Sequence, residues 1–343
     1  MGKKGATQAT SMKDVARLAG VSTMTVSRAM RSPGSVSPEV LASVRAAIEA
    51  SGYVPNRIAG NLSSNRSTLV ALVVPSLRNA LYAETIKGIS EVLTRNGLHL
   101  MISDSGLDLE EEEKLVAEYI SLRVGGVILH NTKHTPRTVT MLRNSGIPCV
   151  ETGNLSVDPI DMVVSYSNYA AGKAIAQHLL ECGYRRFAFA SLPVAGSDRL
   201  RERRNGFLAE LRRAGAGITP ELVLEVEPGL ESGGRALAYI LEKSPSVQAV
   251  FFAGDVLAAG AIFECQRRGI AVPERIAVAA SDDNDLMQNI VPPITTVAFP
   301  RYEIGVRSAS MIVARTKGVV LPVSNVDVGF EVIQRGSTQA PVR

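Results

Sequence analysis

The 343-residue chain is poor in aromatic residues and in cysteine. Phe, Trp and Tyr together make up 5% of it and Trp is absent, which argues against a surface that binds mainly by aromatic stacking. The three cysteines, Cys149, Cys182 and Cys265, form no CxxC pair and are too scattered for a disulfide framework. We therefore expect reduced thiols, as in a cytoplasmic protein.

Other missing features exclude further classes of protein. The chain has no apolar run of about 18 residues and no N-terminal stretch that resembles a signal peptide, so we expect no membrane partner. It has no GxGxxG motif after its first strand, no P-loop, no HExxH and no Ser/His/Asp signature, which disfavours an enzyme and predicts no cofactor. His130 and His134 are four residues apart, but in a loop after a strand, so we predict no metal site.

The charges are distributed unevenly along the chain. Residues 1–66 contain nine Lys or Arg and three acidic residues, a net charge of +6, whereas the remainder contains 28 basic and 30 acidic residues. A basic head on a slightly acidic body is typical of a nucleic-acid-binding module joined to another domain. A basic disordered tail is the alternative, but the periodic helices described next argue against it.

The basic head shows the pattern of a helix-turn-helix domain. Ser11 can cap a first helix that places Val15, Leu18 and Ala19 on one face, and Gly20 ends that helix. A second helix restarts at Ser22. A third begins with Ser37 and Pro38 and covers the first two. Its apolar residues are Val40, Leu41, Val44 and Ile48, and the inward positions of the first two helices are Ala16, Val21 and Val26.

The second helix points a group of side chains away from this core. They are Thr23, Met24 and Thr25 in its first turn, followed by Ser27 and Arg28. A first turn that enters the major groove presents such residues to base edges, and Arg28 can form a bidentate pair with guanine. The alternative is a merely solvated helix face, and the uneven charge favours DNA binding.

A short polar segment, "YVPNRIAGNLSSNRS", follows the third helix. Asn56 can cap a helix from Arg57 to Leu62, but this helix is too short to be stable alone, and Gly60 weakens it by about 1 kcal/mol. We expect it to fold only against a partner. Leu62 on a basic helix suits a wedge that parts a base step in the minor groove; a plain linker is the alternative.

From residue 68 onward the chain alternates apolar strands with amphipathic helices. This alternation predicts an α/β fold with parallel sheets, and about ten strands are too many for one small sheet. We therefore predict two Rossmann-like subdomains, with a ligand in the cleft at the carboxyl ends of their strands. The predicted strands are 69–74, 98–103, 126–130, 148–152, 162–166, 187–191, 222–226, 249–254, 276–281 and 294–299.

The stretch from Lys13 to Ser67 resembles the headpiece of the LacI-type family of bacterial regulators, in "KDVARLAGVSTMTVSRAM" and "GYVPNRIAGNL". The resemblance implies base contacts from Thr23, Met24 and Arg28, and phosphate contacts from Ser22, Thr25 and Ser27. It also implies a hinge helix that opens with Asn56 and Arg57 and inserts Leu62 into the DNA. Met24 lacks the hydrogen-bonding groups that some members carry there, so operator preference at that base should differ.

The resemblance extends over the body and implies a periplasmic-binding-protein-like fold, in which the chain crosses between the subdomains three times. We place the crossings near Ser167, Ala298 and Ser324. The helix 79–95 is then expected at the face of a homodimer on palindromic operator DNA, and no leucine-heptad tail follows to make a tetramer. The predicted units are a disordered arm (1–11), a helix-turn-helix domain (12–54), a hinge (55–67), an N-subdomain (68–167 and 298–323) and a C-subdomain (168–297 and 324–343).

Six residues are candidates for binding a small effector. By resemblance, Arg203, Asp282 and Tyr82 occupy ligand-contacting positions of the family. Asn168 and His130 follow strand ends, and Arg199 lies in an arginine-rich segment that follows another strand. Gly254 stands where many members carry an Asn that contacts the ligand, so the pocket differs from that of a typical neutral-sugar regulator.

The arginines at 199, 201, 203 and 204 favour an anionic ligand, because guanidinium pairs with carboxylate or phosphate. The segment "ETGNL…PIDMVVSYSNYAAG" also resembles the gluconate-utilisation regulators of the family. We therefore expect a repressor controlled by a sugar acid, such as gluconate, or by a sugar phosphate. One alternative is a regulator whose effector is a neutral sugar or a nucleobase. Another is a solute-binding protein, which the basic head disfavours.

Overall fold

The computed structural model describes residues 10–54, 67–77 and 80–339. The chain forms two compact units, Met1–Asn65 and Arg66–Arg343, which are described separately here as the head and the body. The hinge residues Asn56, Arg57 and Leu62 lie outside the described residues, as do positions 1–9 of the predicted arm.

The head contains three helices: α1 (Met12–Ala19), α2 (Thr23–Arg31) and α3 (Pro38–Ser51). Ser11 begins α1, with its backbone N–H donating to Asp14 Oδ2 at 3.0 Å. Gly20 ends α1 with φ at 66°, a left-handed conformation that favours glycine and allows the chain to turn directly into α2. The short turn between two helices is the predicted helix-turn-helix arrangement.

The core of the head is formed by Val15, Val26 and Val44, one from each helix, all at most 1% exposed. Leu18, which helical spacing places on one face with Val15, does not join this core, because its side chain is 58% exposed. The buried residues of α1 are Val15 and Ala16, and Leu18 lies beside them with its side chain turned to solvent. The arm also ends earlier than predicted, since the Thr10 hydroxyl donates to the carbonyl of Ser51 at 3.1 Å.

In the described part of the chain, the body contains twelve strands and nine α-helices, which alternate except that β5 follows β4 and β12 follows β11 directly. The strands are β1 (Leu69–Val74), β2 (His99–Asp104), β3 (Gly126–Leu129), β4 (Cys149–Glu151), β5 (Met162–Ser165), β6 (Phe187–Ser191), β7 (Val223–Glu225), β8 (Ala249–Phe252), β9 (Ala277–Ser281), β10 (Thr295–Ala298), β11 (Asn325–Asp327) and β12 (Glu331–Ile333). The helices are α4 (Ala83–Arg95), α5 (Leu109–Ser121), α6 (Pro136–Ser145), α7 (Asn168–Glu181), α8 (Asp198–Arg213), α9 (Leu230–Lys243), α10 (Asp255–Arg268), α11 (Asp285–Asn289) and α12 (Arg301–Thr316).

These strands form two six-stranded sheets, in the orders β11-β5-β4-β3-β1-β2 and β12-β10-β9-β8-β6-β7. All neighbours pair in parallel except β10 and β12, which are antiparallel. The two sheets confirm the prediction of an α/β body with two Rossmann-like subdomains. The strands β11 and β12 were not predicted, because each has only three residues and both are partly exposed.

The placement of the third crossing near Ser324 is wrong. Residues 325–327 form β11, which pairs with β5 in the first sheet, so the chain crosses between Asp327 and Glu331. The other two crossings lie between Ser165 and Asn168 and between Ala298 and Arg301. Tyr166 and Phe299, one on each of these segments, stack with their ring centroids 3.8 Å apart.

Helices pack in pairs at both sheets, through glycines at their closest approach. An ideal Cβ on Gly172 of α7 would lie 1.9 Å from the carbonyl oxygen of Arg203 on α8, and one on Gly305 of α12 would lie 2.2 Å from that of Thr85 on α4. These close crossings bring the first turns of the helices together at the carboxyl ends of the strands. No helix in the described part of the chain is long and apolar enough to span a membrane.

Candidate functional site

The head presents the first turn of α2 to solvent. Thr23, Met24 and Arg28 are exposed, and Met24 has the largest apolar exposure on this helix, at 68%. Val26 and Ala29 hold the opposite face of α2 against the core. The helix therefore offers the predicted side chains as one surface, in the manner of a recognition helix.

All three predicted phosphate-contacting hydroxyls, those of Ser22, Thr25 and Ser27, have partners within the head. Ser22 Oγ accepts the backbone N–H of Thr25 at 3.1 Å and lies 2.9 Å from Thr25 Oγ1, so it caps α2. Ser27 Oγ accepts from Arg31 Nη2 at 2.7 Å. The Arg31 contact places a second guanidinium beside the recognition surface, which the sequence analysis did not identify.

In the body, Asp282 lies at the centre of a cluster at the strand ends. It follows β9 directly, with φ at 76°, and is 5% exposed. Arg203 Nη1 lies 3.4 Å from its Oδ2, and Arg301 donates to its Oδ1. Burial raises the pKa of Asp282, but the two guanidinium groups outweigh this effect and hold the pKa below its ordinary value.

Asn168, the first residue of α7, connects this cluster to the first sheet. Its Oδ1 accepts from Arg203 Nη2 at 2.8 Å, and its Nδ2 donates to the carbonyl of Gly153 at 2.7 Å and to Asn154 Oδ1 at 3.1 Å. Asn154 in turn donates to Asp198 Oδ2 at 3.3 Å. The network thus joins the strand ends of both sheets.

Tyr82, His130 and Arg199 form a second group beside Gly153. The rings of Tyr82 and His130 meet edge to face at 4.7 Å, and Arg199 is hydrogen-bonded to Tyr82. An ideal Cβ on Gly153 would lie 2.8 Å from Arg199 Cδ and 3.2 Å from His130 Nε2, so both side chains border this glycine. All six predicted effector residues therefore lie in one connected region.

His130 is neutral and offers a free acceptor. Burial, reinforced by Arg199 and Arg301, lowers its pKa well below the ordinary value. Thr152 Oγ1 donates to the carbonyl of Leu129, so it accepts from His130 Nδ1, 2.9 Å away. These bonds assign the proton to Nδ1 and leave Nε2 as an acceptor.

The described part of the chain has eight buried side-chain nitrogen or oxygen atoms without a hydrogen-bond partner, and five of them belong to this region. Buried polar groups are rarely left unpaired, because each costs about 1–3 kcal/mol. Such a concentration indicates a surface that completes its hydrogen bonds with a ligand. The five atoms are His130 Nε2, Asn131 Oδ1, Asp198 Oδ1, Arg199 Nε and Arg203 Nε.

Several members of the network were not predicted from the sequence. Arg301 follows the end of β10 and could have been found by the strand-end rule that identified Asn168. Asn154 and Thr132 also follow strand ends, and Thr132 Oγ1 donates to Asp198 Oδ2 at 2.5 Å. Gly254, in contrast, has no side chain to offer, and the adjacent Asp255 accepts from Asn284 Nδ2 at 2.5 Å.

Known proteins resemble both units of the chain. Residues 11–56 match the family described as bacterial regulatory proteins, lacI family, and residues 176–338 match the family described as periplasmic binding protein-like domain. The HTH-type transcriptional regulator GntR of Pseudomonas aeruginosa is 37% identical over 95% of this chain and 95% of its own.

Solved structures resemble it over nearly the whole length. A LacI-family transcriptional regulator from Silicibacter pomeroyi is 33% identical, covers 96% of this chain and 99% of its own, and superimposes with a TM-score of 0.91. The lac repressor dimer bound to operator and the anti-inducer ONPF, 23% identical, shares the fold with a TM-score of 0.83 over 97% of this chain and 100% of its own. The chain belongs to the LacI family of DNA-binding transcriptional repressors, which are not enzymes.

Proposed function

We propose that this repressor binds palindromic operator DNA as a homodimer, in the cytoplasm, and releases or retains it according to a sugar acid, such as gluconate, or a sugar phosphate bound in the body. The observation that carries the effector class is the set of five unpartnered buried atoms. It combines donors on two arginines with acceptors on His130, Asn131 and Asp198, and a polyhydroxy acid has groups that complement both kinds.

The charges of the region support an anionic ligand. Arg203 and Arg301 share the single carboxylate of Asp282, whereas Arg199 is hydrogen-bonded to Tyr82. Asp198 supplies one further negative charge, held by Thr132 and Asn154, and Asp255 supplies another, held by Asn284. A ligand carboxylate or phosphate at Arg199 would form charge-assisted hydrogen bonds with its guanidinium.

The acceptors fit the rest of such a ligand. His130 Nε2 and Asp198 Oδ1 are each free to accept from a hydroxyl group. A neutral sugar would use these acceptors but leave Arg199 without an anionic partner. The hydroxyl groups therefore provide affinity shared by many sugars, whereas Arg199 provides the preference for the acid.

Operator binding uses the exposed first turn of α2. Thr23, Met24 and Arg28 contact base edges in the major groove, and two copies reach successive grooves roughly 34 Å apart. The segment with Asn56, Arg57 and Leu62 forms the hinge helix in the minor groove, and helix α4 contributes to the dimer face. By linkage, effector and operator change each other's affinity by the same factor.

Calorimetric titration of the full chain tests the effector class. D-gluconate, 6-phosphogluconate, D-glucose and adenosine are titrated into wild type, Arg199→Gln and, as a matched control, Arg212→Gln at an exposed position of the same helix. We expect a sugar acid to bind wild type and Arg212→Gln alike and to lose about tenfold or more in affinity with Arg199→Gln. Preference for glucose or adenosine would overturn the assignment.

A second experiment tests the proposed binding of operator DNA and its control by the effector. Fluorescence anisotropy with an operator obtained by selection from random DNA, with and without the bound effector, measures the coupling, and sedimentation gives the oligomeric state. We expect one dimer per palindrome and a shift in operator affinity with effector. Equal operator affinity in both conditions would refute control by this cleft.

A further inference from the structure

A buried histidine lies between two carboxylates behind the strand ends of the first sheet. His134 Nδ1 is 2.5 Å from Glu112 Oε1, and Nε2 is 3.4 Å from Glu151 Oε1. All three side chains are only 2% exposed. The longer distance is a charge contact rather than an aligned hydrogen bond, so the pair with Glu112 is the stronger one.

Each carboxylate belongs to a different element. Glu112 lies in the first turn of α5, and Glu151 is the last residue of β4, where its second oxygen accepts the backbone N–H of Ile160 at 2.5 Å. Next to His134, Thr135 caps α6 and its hydroxyl donates to Glu113 Oε2 at 2.5 Å. The His134 side chain therefore connects the loop after β3 to α5 and to the end of β4.

The contact requires the charged imidazolium. A neutral ring has one N–H and would leave one of two buried carboxylates facing an acceptor nitrogen. Burial lowers the pKa of His134, but Glu112 and Glu151 outweigh this effect and raise the pKa to about 9. Glu113, Arg137, Cys149 and Asp161 lie on the surrounding elements. Burial, together with the nearby Glu151, Asp161 and Glu112, raises the pKa of the Cys149 thiol well above its ordinary value.

The two loops joined in this way carry the first-sheet half of the candidate site. The loop after β3 supplies His130, Asn131 and Thr132, and the segment after β4 supplies Thr152, Gly153 and Asn154. We propose that His134, held as an imidazolium between Glu112 and Glu151, is a positioning residue that fixes both loops of the effector site. The inference rests on the proposed function of this cleft, but not on the identity of its ligand.

Hydrogen exchange followed by mass spectrometry on the full chain tests the proposal without a ligand. The variants are His134→Gln and His99→Gln, the latter at an exposed position of β2. At pH 7 we expect His134→Gln to exchange about tenfold faster or more in 130–135 and 152–154, as expected for the loss of a charge-assisted hydrogen bond, and His99→Gln to match wild type.

The pH dependence separates positioning by charge from a merely structural role. After correction for intrinsic rates, wild-type exchange in both segments should rise with a midpoint near pH 9, and His134→Gln should show no such step. Should His134→Gln fail to fold, Glu112→Gln provides the same test, because removal of one carboxylate lowers the pKa of His134 and must move the midpoint down. An unchanged midpoint in Glu112→Gln, or a step that persists in His134→Gln, overturns the proposal.

A titration with D-gluconate distinguishes this inference from the effector assignment. If wild type does not bind gluconate while the loops respond as described, the assignment of the ligand fails and the positioning role stands. If wild type binds gluconate and His134→Gln binds it equally well with unchanged exchange, the positioning role fails alone.

Discussion

Replacement of Gly172 by Ala should separate helices α7 and α8 and disrupt the candidate site between them. The added Cβ would lie 1.9 Å from the carbonyl oxygen of Arg203 and 3.0 Å from the backbone nitrogen of Phe207. Both are backbone atoms, so no side-chain rotation can relieve the contact. Gly206 on α8 has the reciprocal relation, 2.0 Å from the carbonyl oxygen of Tyr169.

The size of the effect follows from these distances. Ordinary van der Waals contact begins at 3.4 Å, so the helices must move apart by about 1.5 Å. The bond from Arg203 Nη2 to Asn168 Oδ1, now 2.8 Å, would then exceed hydrogen-bonding distance. Overpacking costs about 1–3 kcal/mol and the loss of a charge-assisted hydrogen bond about 1.5–3 kcal/mol, so we expect the free energy of unfolding to fall by roughly 2.5–6 kcal/mol.

Urea unfolding of Gly172→Ala and Gly217→Ala measures this difference. Gly217 has open space around its Cβ position and an ordinary φ, so its replacement should change stability by less than about 0.5 kcal/mol. The same two variants, titrated with the effector, should differ by about tenfold or more in affinity, because Arg203 loses its position. If the two variants unfold within 0.5 kcal/mol of each other, the helices tolerate the contact and the reasoning is refuted.

Three further predictions concern the other groups of the two sites. Asp282→Asn keeps the left-handed backbone accessible but leaves Arg203 and Arg301 without a counter-charge, so urea unfolding at pH 7 should show a loss of about 3–5 kcal/mol. Because the folded-state pKa of Asp282 is lowered, this difference from wild type should persist at neutral pH and shrink as the pH falls below about 4. Gly305→Ala, whose Cβ would lie 2.2 Å from the carbonyl oxygen of Thr85, should destabilise the body by about 1–3 kcal/mol in the same assay, and equal stability would show that α4 and α12 can separate freely. Arg28→Ala should weaken operator binding in fluorescence anisotropy by about 1–3 kcal/mol and relax the preference at one base pair, whereas a uniform loss on all sequences would assign Arg28 to phosphate contact.

The regular part of the fold was predictable because buried parallel strands are continuous apolar runs. The runs at 69–74 and 187–191 match β1 and β6 to the residue. The three-residue strands β11 and β12 carry no such run, and their pairing in different sheets depends on the crossing that lies between them. Leu18 shows a related limit: α1 has two possible apolar stripes, and the choice between them depends on how α3 packs against it.

The position of the candidate site was predictable from the sequence, but only some of its residues were. The rule that ligands bind at the carboxyl ends of strands identified His130 and Asn168, and the resemblance to a family identified Arg203 and Asp282. Neither source indicates which side chains pair with one another. The contacts of Arg301 with Asp282 and of His134 with Glu112 join residues 19 and 22 positions apart, and they arise only when the sheets are assembled.

The two arginines that share the carboxylate of Asp282 belong to different parts of the body. Arg203 belongs to α8 on the second sheet, whereas Arg301 begins α12, directly after a crossing segment, and α12 packs against α4 on the first sheet. Under the proposed function, an anionic ligand near Arg199 and Arg203 competes with Asp282 for a guanidinium. Any change in that competition alters the bond between Asp282 and Arg301, which lies across the crossing. Under the proposed function, the charges that would bind the ligand therefore lie next to the segment that joins the two subdomains, so ligand binding would change the contacts of that segment.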